Sequence, residues 1–303
     1  MKESFVVAPD VRASLEAGRA VVALESTLVT HGLPPPDGLR VAAELEDEVR
    51  AAGALPATVG VLEGALRVGL TPEELARLAA TPKVTKLNPG NLAAHVAAGA
   101  SGSTTVAATM LAAARAGIRV FATGGIGGVH RDAAETGDVS ADVFALARHP
   151  VAVVCAGAKA VLDLPRTVEL LETLGVPVIG LGTDEFPSFY RRGSGLPVDA
   201  RVETIAELAA VVRAHFELGE GGVLVANPIP VADELPEDVY EPALRQALRE
   251  VGERGIRGRA VTPFLLDRLR ESTGGRSVTA NLALLRNDAR VAGSLAVELA
   301  GSA

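Results

Sequence analysis

Short apolar segments rich in β-branched residues recur along the chain at 20–24 (AVVAL), 57–62 (ATVGVL), 83–87, 118–122 (IRVFA), 151–155 (VAVVC), 177–181 (PVIGL) and 222–226 (GVLVA). Strands covered by helices on both faces read as such near-continuous runs. Between them lie helical patterns near 37–53, 104–116, 141–148, 165–174 and 202–217, and a further one opening at Thr71. The alternation predicts an α/β fold: a three-layer α/β/α arrangement with a largely parallel mixed central sheet. Asp37 is placed as the N-cap of the first predicted helix and Gly53 as its stop. Thr71-Pro72-Glu73-Glu74 spells a capping box with proline at the first helical position. After residue 227 the pattern is nearly all helical (239–253, 262–272, 277–299), introduced by NPIPVADELPEDVY, which resembles a linker or an extended active-site loop. That helical part has no strands of its own to bury against, so its helices are expected to cover the sheet and residues 1–303 to form a single domain. No fixed-period repeat is present, which removes solenoids and propellers.

With 303 residues, 48% of them hydrophobic, the chain can bury a large core. Its net charge of −8 argues against a general grip on nucleic acid or on an anionic membrane. The 28 residues between Lys86 and Arg115 carry no formal charge, yet Asn88-Pro89-Gly90-Asn91 and the Ser101–Thr105 cluster interrupt them. No run approaches the roughly 18 apolar residues of a membrane span, so this stretch reads as a buried helix with a polar, ligand-facing mouth. A single cysteine, Cys155, excludes an intramolecular disulfide and a thiolate metal cluster and suits a reducing cytoplasm. The N-terminus does not read as a signal peptide. Only four lysines (Lys2, Lys83, Lys86, Lys159) stand against 25 arginines. Arginine stays charged almost anywhere, whereas a lysine amine can be made neutral and nucleophilic, so each interior lysine invites a question.

Several segments can carry chemistry. Glu25 directly follows an apolar strand in ALESTLVTHGLP, where ligands of open α/β sheets bind. Partial desolvation would make it a general acid; a structural ion pair with an arginine is the competing reading. Lys86 ends a strand in VTKLNPGNL, just before a turn into a helix, an arrangement suited to phosphate but also to an ordinary surface lysine. Lys83, at the strand start, fits the second description better. The glycine run in FATGGIGGVHR is neither a P-loop, lacking Gly-Lys-Ser/Thr, nor a dinucleotide fingerprint, having His130 where glycine or alanine is required. It reads as a pocket wall. Asp132, Glu135, Asp138 and Asp142, with His130 nearby, make an oxygen-rich loop that suits a hard divalent cation, or simply a solvated acidic loop. Lys159 follows an apolar strand among small and apolar neighbours, with no acidic residue before Asp163. Such surroundings penalise an ammonium ion and favour an imine-forming nucleophile over a lysine whose head snorkels to water.

Taken in order, ALESTLVTHGLP, VTKLNPGNL, GSTTVAAT, FATGGIGGVHR, TGDVSAD, CAGAKAVLDLPRTVELLETLGVPVIG, GTDEFPSFYRRGSG and VTANLALLRNDARVAG resemble the pseudouridine-5′-phosphate glycosidase family, which also contains indigoidine-synthesis A-type proteins. The resemblance spans nearly the whole chain. It implies reversible cleavage of pseudouridine 5′-phosphate to ribose 5-phosphate and uracil, with one divalent cation, usually Mn²⁺, per subunit of a homotrimer. Matched to this sequence, Lys159 would be the nucleophile and Glu25 the proton donor. Lys86, Val106, Ser140, Ala141 and Asp142 would contact substrate and Asp138 would ligate the metal; His130 and Asn281 fall in matching stretches that line the pocket. Two other functions share the same residues: an aldolase-type lysine-imine lyase acting on a sugar phosphate, and a sugar-phosphate sensor without turnover.

Overall fold

The protein is described here by a computed structural model covering residues 3–32, 37–159, 161–256 and 261–301, the side chains of Thr262 and Pro263 apart. Lys2, the Leu33-Pro34 end of the first chemical segment and Ala160 beside Lys159 lie outside the described residues. Eleven strands are found among them: β1 (Phe5–Val7), β2 (Val21–Glu25), β3 (Leu55–Leu62), β4 (Ala65–Val68), β5 (Thr85–Leu87), β6 (Gly102–Thr104), β7 (Val120–Ala122), β8 (Ala152–Cys155), β9 (Val178–Leu181), β10 (Ala200–Val202) and β11 (Val223–Ala226). The helices are α1 (Pro9–Glu16), α2 (Asp37–Ala51), α3 (Pro72–Ala79), α4 (Pro89–Ala97), α5 (Val106–Ala116), α6 (Ala133–Thr136), α7 (Ala141–Arg148), α8 (Leu164–Thr173), α9 (Ile205–Leu218), α10 (Glu237–Glu253), α11 (Val261–Ser272) and α12 (Arg276–Ala300), with a π-helical turn over Leu28–Gly32.

The strands form one sheet in the order β1-β4-β3-β2-β7-β8-β11-β9-β10, with β6 paired to β3 and β5 to β6. Only the β3–β4 and β3–β6 pairings are antiparallel. Alternate residues feed two separate cores. Val21 and Ala23 of β2, Phe121 of β7, Val153 and Cys155 of β8 and Leu224 of β11 join α1, α5, α7 and α8 on one face. Val22 and Leu24, Val120 and Ala122, Ala152 and Val154, and Val223 and Val225 face α2, α9 and α12 on the other. Both sets are buried, which is the physical reason these strands read as unbroken apolar runs. Each fully buried Val or Leu contributes roughly 1.5–3 kcal/mol.

The predicted three-layer architecture holds, and the C-terminal helices do cover the sheet: α12 packs on α2, α9, β2, β7 and β8. The capping box at Thr71 is present, with reciprocal hydrogen bonds to Glu74. Four strands escape the apolar pattern. These are β1, β4, β6 and β10; β1, β4 and β10 lie at or next to the sheet edges, and β6 pairs off the main strand path. The charge-free stretch after Lys86 is not one buried helix. It is α4, then β6, then α5, because Asn88 caps α4 in a capping box with Asn91 and the Gly102–Thr104 segment pairs with β3 and β5.

From β2 the chain moves outward to β3 on one side, while β7 leads to β8 on the other. The neighbouring carboxyl ends of β2 and β7 therefore form a topological switch point, where open α/β sheets leave a crevice.

Candidate active site

A cavity of about 810 Å³ opens at this switch point, within the size range of small-molecule sites. Glu25, the last residue of β2, lies partly buried in it. Thr123, just beyond β7, donates its hydroxyl to Glu25 Oε1 at 2.6 Å. Burial raises the Glu25 pKa above the ordinary carboxyl value; the positive charges of Lys159 and Lys86 and the Thr123 hydrogen bond oppose this, and burial prevails. The arginine partner entertained for Glu25 is not there: the cations acting on it are the two lysines.

Lys159 comes from the loop after β8. Gly157, at φ +79°, makes the turn, and a side chain there would meet the Pro187 carbonyl oxygen at 2.0 Å. The Lys159 amide donates to the Ile126 carbonyl at 3.0 Å, so two strand-end loops hold the lysine in place. Among the charges acting on Glu25, Lys159 is the strongest.

Next to this pair lies a region suited to an anion. Lys86 on β5 stands in register with Ser103 on β6. Its side chain is accessible within the cavity, yet the surrounding walls desolvate it enough to push its pKa down, and the charge of Lys159 acts in the same direction. Val106 is the first residue of α5. The Ala107 amide donates to Asp142 Oδ1 at 2.9 Å and the Ala108 amide to Thr105 Oγ1 at 3.3 Å. The Val106 amide is left without a partner among the described residues, at the positive end of a helix dipole. Asp142 is buried and accepts at Oδ2 from the Gly127 amide at 2.8 Å, so its carboxylate ties α5 to the glycine loop. Ser140 caps α7, its Oγ accepting from the Asp142 amide at 3.3 Å. A side chain at Gly127 would meet Ser140 Oγ at 2.3 Å. The glycine run is thus a wall against which these residues pack, as read from the sequence. Ala141 completes that edge of the cavity.

The acidic loop does not gather into a cluster. Val129 and Val139 form an antiparallel bridge, the His130 amide donates to the Asp138 carbonyl at 3.1 Å, and His130 Nδ1 lies 4.0 Å from Asp138 Oδ2. His130 and Asp138 line the cavity, whereas Asp132 and Glu135 are exposed. Among the described residues no three His, Cys, Asp or Glu side chains form a group that could hold a metal ion.

Apolar side chains and one amide also line the cavity. Asn281 and Leu285 of α12, one turn apart, line it with Leu24 and Phe189. Phe189 has φ +65°, and its ring occupies the space a side chain at Gly125 would need. A backbone held in the left-handed region by a bulky residue persists only where its surroundings enforce it.

All ten residues singled out from the sequence, Glu25, Lys86, Val106, His130, Asp138, Ser140, Ala141, Asp142, Lys159 and Asn281, line this one cavity. Thr123 and Phe189 were not foreseen, because only the side-by-side placement of β2 and β7 and the return of the 186–190 segment bring them in. Lys83, expected to be a bystander at a strand start, also lines the cavity; the strand begins later, at Thr85.

Comparison with known proteins shows a match over residues 10–298 to the family described as indigoidine synthase A like protein. The chain belongs to this family. Among its relatives, a protein of Methylobacterium nodulans named pseudouridine-5′-phosphate glycosidase is 56% identical over 97% of this chain and 88% of its own length. One of the same name from Caldanaerobacter subterraneus subsp. tengcongensis is 50% identical over 99% of this chain and 98% of its own. Two solved family folds superimpose on it. The prealnumycin C-glycosynthase AlnA, in complex with ribulose 5-phosphate, has a TM-score of 0.92 at 39% identity and covers 100% of this chain and 99% of its own. An indigoidine synthase A-like protein of Thermotoga maritima has a TM-score of 0.88 at 34% identity, covering 98% and 97%. Within the indigoidine synthase A-like family, this chain thus has the α/β architecture predicted from its apolar runs.

Proposed function

We propose that this chain reversibly cleaves the carbon–carbon glycosidic bond of pseudouridine 5′-phosphate, giving ribose 5-phosphate and uracil. The observation that carries the reading is Glu25, a carboxyl whose pKa burial raises, sharing one cavity with Lys159 at the sheet's switch point, in a chain at least half identical to several proteins of that name. That AlnA holds ribulose 5-phosphate, also a pentose phosphate, supports a sugar-phosphate ligand.

Protonating a leaving nitrogen cannot help here, since ribose and uracil are joined through carbon. Glu25 instead donates its proton to the ribose ring oxygen as the Lys159 amine attacks the anomeric carbon; the carbon–oxygen bond opens and a ring-opened lysine adduct forms. The attacking nitrogen then gives up a proton, and its lone pair forms the iminium double bond while the electrons of the carbon–carbon bond pass to uracil, whose carbon takes up a proton. Water hydrolyses the imine, releasing ribose 5-phosphate and restoring the amine. Lys86, the Val106 amide and the Ser140–Asp142 edge hold the phosphate and sugar, contributing orientation. Asn281, Leu285 and Phe189 offer an amide and an apolar surface to the base.

A divalent cation, Mn²⁺ for preference, belongs to the proposal, with Asp138 as its protein ligand. A single partly exposed carboxylate beside His130 fits a hard cation that keeps most of its water shell and does not fit a closed protein cage. Bound there, the cation would order waters and offset substrate negative charge. A homotrimer in the cytoplasm completes the reading; no described helix is long and apolar enough to cross a membrane.

The deciding experiment is uracil release. Pseudouridine 5′-phosphate should yield uracil, and uridine 5′-phosphate should not. An aldolase-type lyase would leave both intact, and a sensor would bind without turnover.

A further inference from the structure

Lysine is used selectively in this protein. Ion pairs among the described residues draw their cations from arginine and His130. The three described lysines, Lys83, Lys86 and Lys159, all line the one cavity. Lys83 makes no hydrogen bond or ion pair with a described side chain, and it is exposed. Its backbone lies at φ +51°, in the left-handed region that strains a side-chain-bearing residue. An ordinary surface lysine has no reason to occupy that conformation, where glycine or asparagine would be the unstrained choice.

Glu25, Lys159, Lys86 and Asp142 line this cavity and act on one another. His31, on the π-helical turn, lines the cavity and is acted on by Lys86 alone among charged groups. Lys83 lines the same cavity and is itself exposed, so it stands where the cavity meets solvent. A phosphate monoester carries close to two negative charges at neutral pH, and Lys86 supplies one positive charge toward them. The chain's net charge of −8 repels such a substrate, so a cation at the mouth acts on both capture and retention.

We propose that Lys83 is a specificity-determining residue, a second cation that selects the phosphorylated form of the substrate at the cavity mouth. This rests on the functional reading above. It assigns Lys83 no part in bond cleavage.

The test compares three variants by uracil release from pseudouridine 5′-phosphate and by calorimetric binding of inorganic phosphate. Lys83→Met keeps a long stem without charge, Lys83→Gly removes charge and backbone strain together, and Lys83→Arg keeps the charge. Met and Gly should raise KM and weaken phosphate binding about tenfold, the worth of one charge-assisted contact, with kcat within twofold of wild type. Arg should stay near wild type, and Lys83→Gly should melt no lower than wild type because glycine accepts φ +51° freely. Unchanged KM and phosphate affinity in both Met and Gly variants would overturn the proposal while leaving the function intact. A wild-type protein that binds phosphate but releases no uracil would instead remove the functional reading, and this inference with it.

Discussion

The Thr123 hydroxyl donates to Glu25 Oε1 at 2.6 Å across two adjacent parallel strands, β7 and β2. The bond holds one carboxyl oxygen and, by favouring the ionised form, restrains the rise in pKa that burial causes.

Removing that hydroxyl has a signed consequence. In Thr123→Val the Glu25 pKa should rise further, so the alkaline limb of the kcat profile assigned to the Glu25 proton moves to higher pH. At the same time kcat should fall about tenfold through lost orientation. A pH–rate series on wild type and variant checks both; a limb that moves to lower pH would contradict the assignment.

The two central residues should behave as a unit. Lys159→Ala should abolish uracil release, and Glu25→Gln should lower kcat by about 10²–10⁴. Borohydride added during turnover should fix a pentose phosphate mass on the Lys159 peptide. A fully active Lys159→Ala protein would refute the imine route.

Cation dependence follows from the lone Asp138 carboxylate. Chelation should stop turnover and added Mn²⁺ should restore it, while Asp138→Asn should require much more metal for the same rate. An undiminished rate in chelator would take Asp138 out of the site.

Away from the cavity, Asp288 on α12 is fully buried; its Oδ1 accepts from Asn227 Nδ2 at 2.8 Å, the Ala156 backbone also acts on the carboxyl, and Oδ2 has no hydrogen-bond partner. Burial holds its pKa well above the ordinary carboxyl value. An acid whose folded pKa is raised contributes most to stability below its unfolded pKa, and that contribution is lost as pH rises toward the folded value. Asp288→Asn should therefore stabilise the protein at neutral and alkaline pH, by roughly 1–3 kcal/mol, the scale of one unsatisfied buried polar group. The gain should shrink as pH falls toward 4, which thermal melts across pH would show.

Much of this protein was determined by its sequence alone. Residues buried on both faces must be apolar whichever partner they meet, so most of the seven strands read from apolar runs, the helices between them and the α/β layering are written in local pattern. Glu25 and Lys159 were legible because a charged residue right after an apolar strand is conspicuous, and the resemblance of the surrounding motifs supplied a substrate. The tertiary structure decided what depends on neighbours distant in the chain. β6 is a strand because β3 and β5 supply its hydrogen bonds. Asp142 separates from the other loop carboxylates because buried amides of α5 and the glycine loop claim both its oxygens. Thr123 reaches Glu25 across 98 residues of sequence. Lys83 passes from bystander to cavity lining because strand β5 begins two residues later than its apolar run suggests, leaving the lysine in a strained turn at the mouth. Local pattern records what each residue must avoid or seek; which groups finally share a low-dielectric space is settled only when the strands are laid side by side.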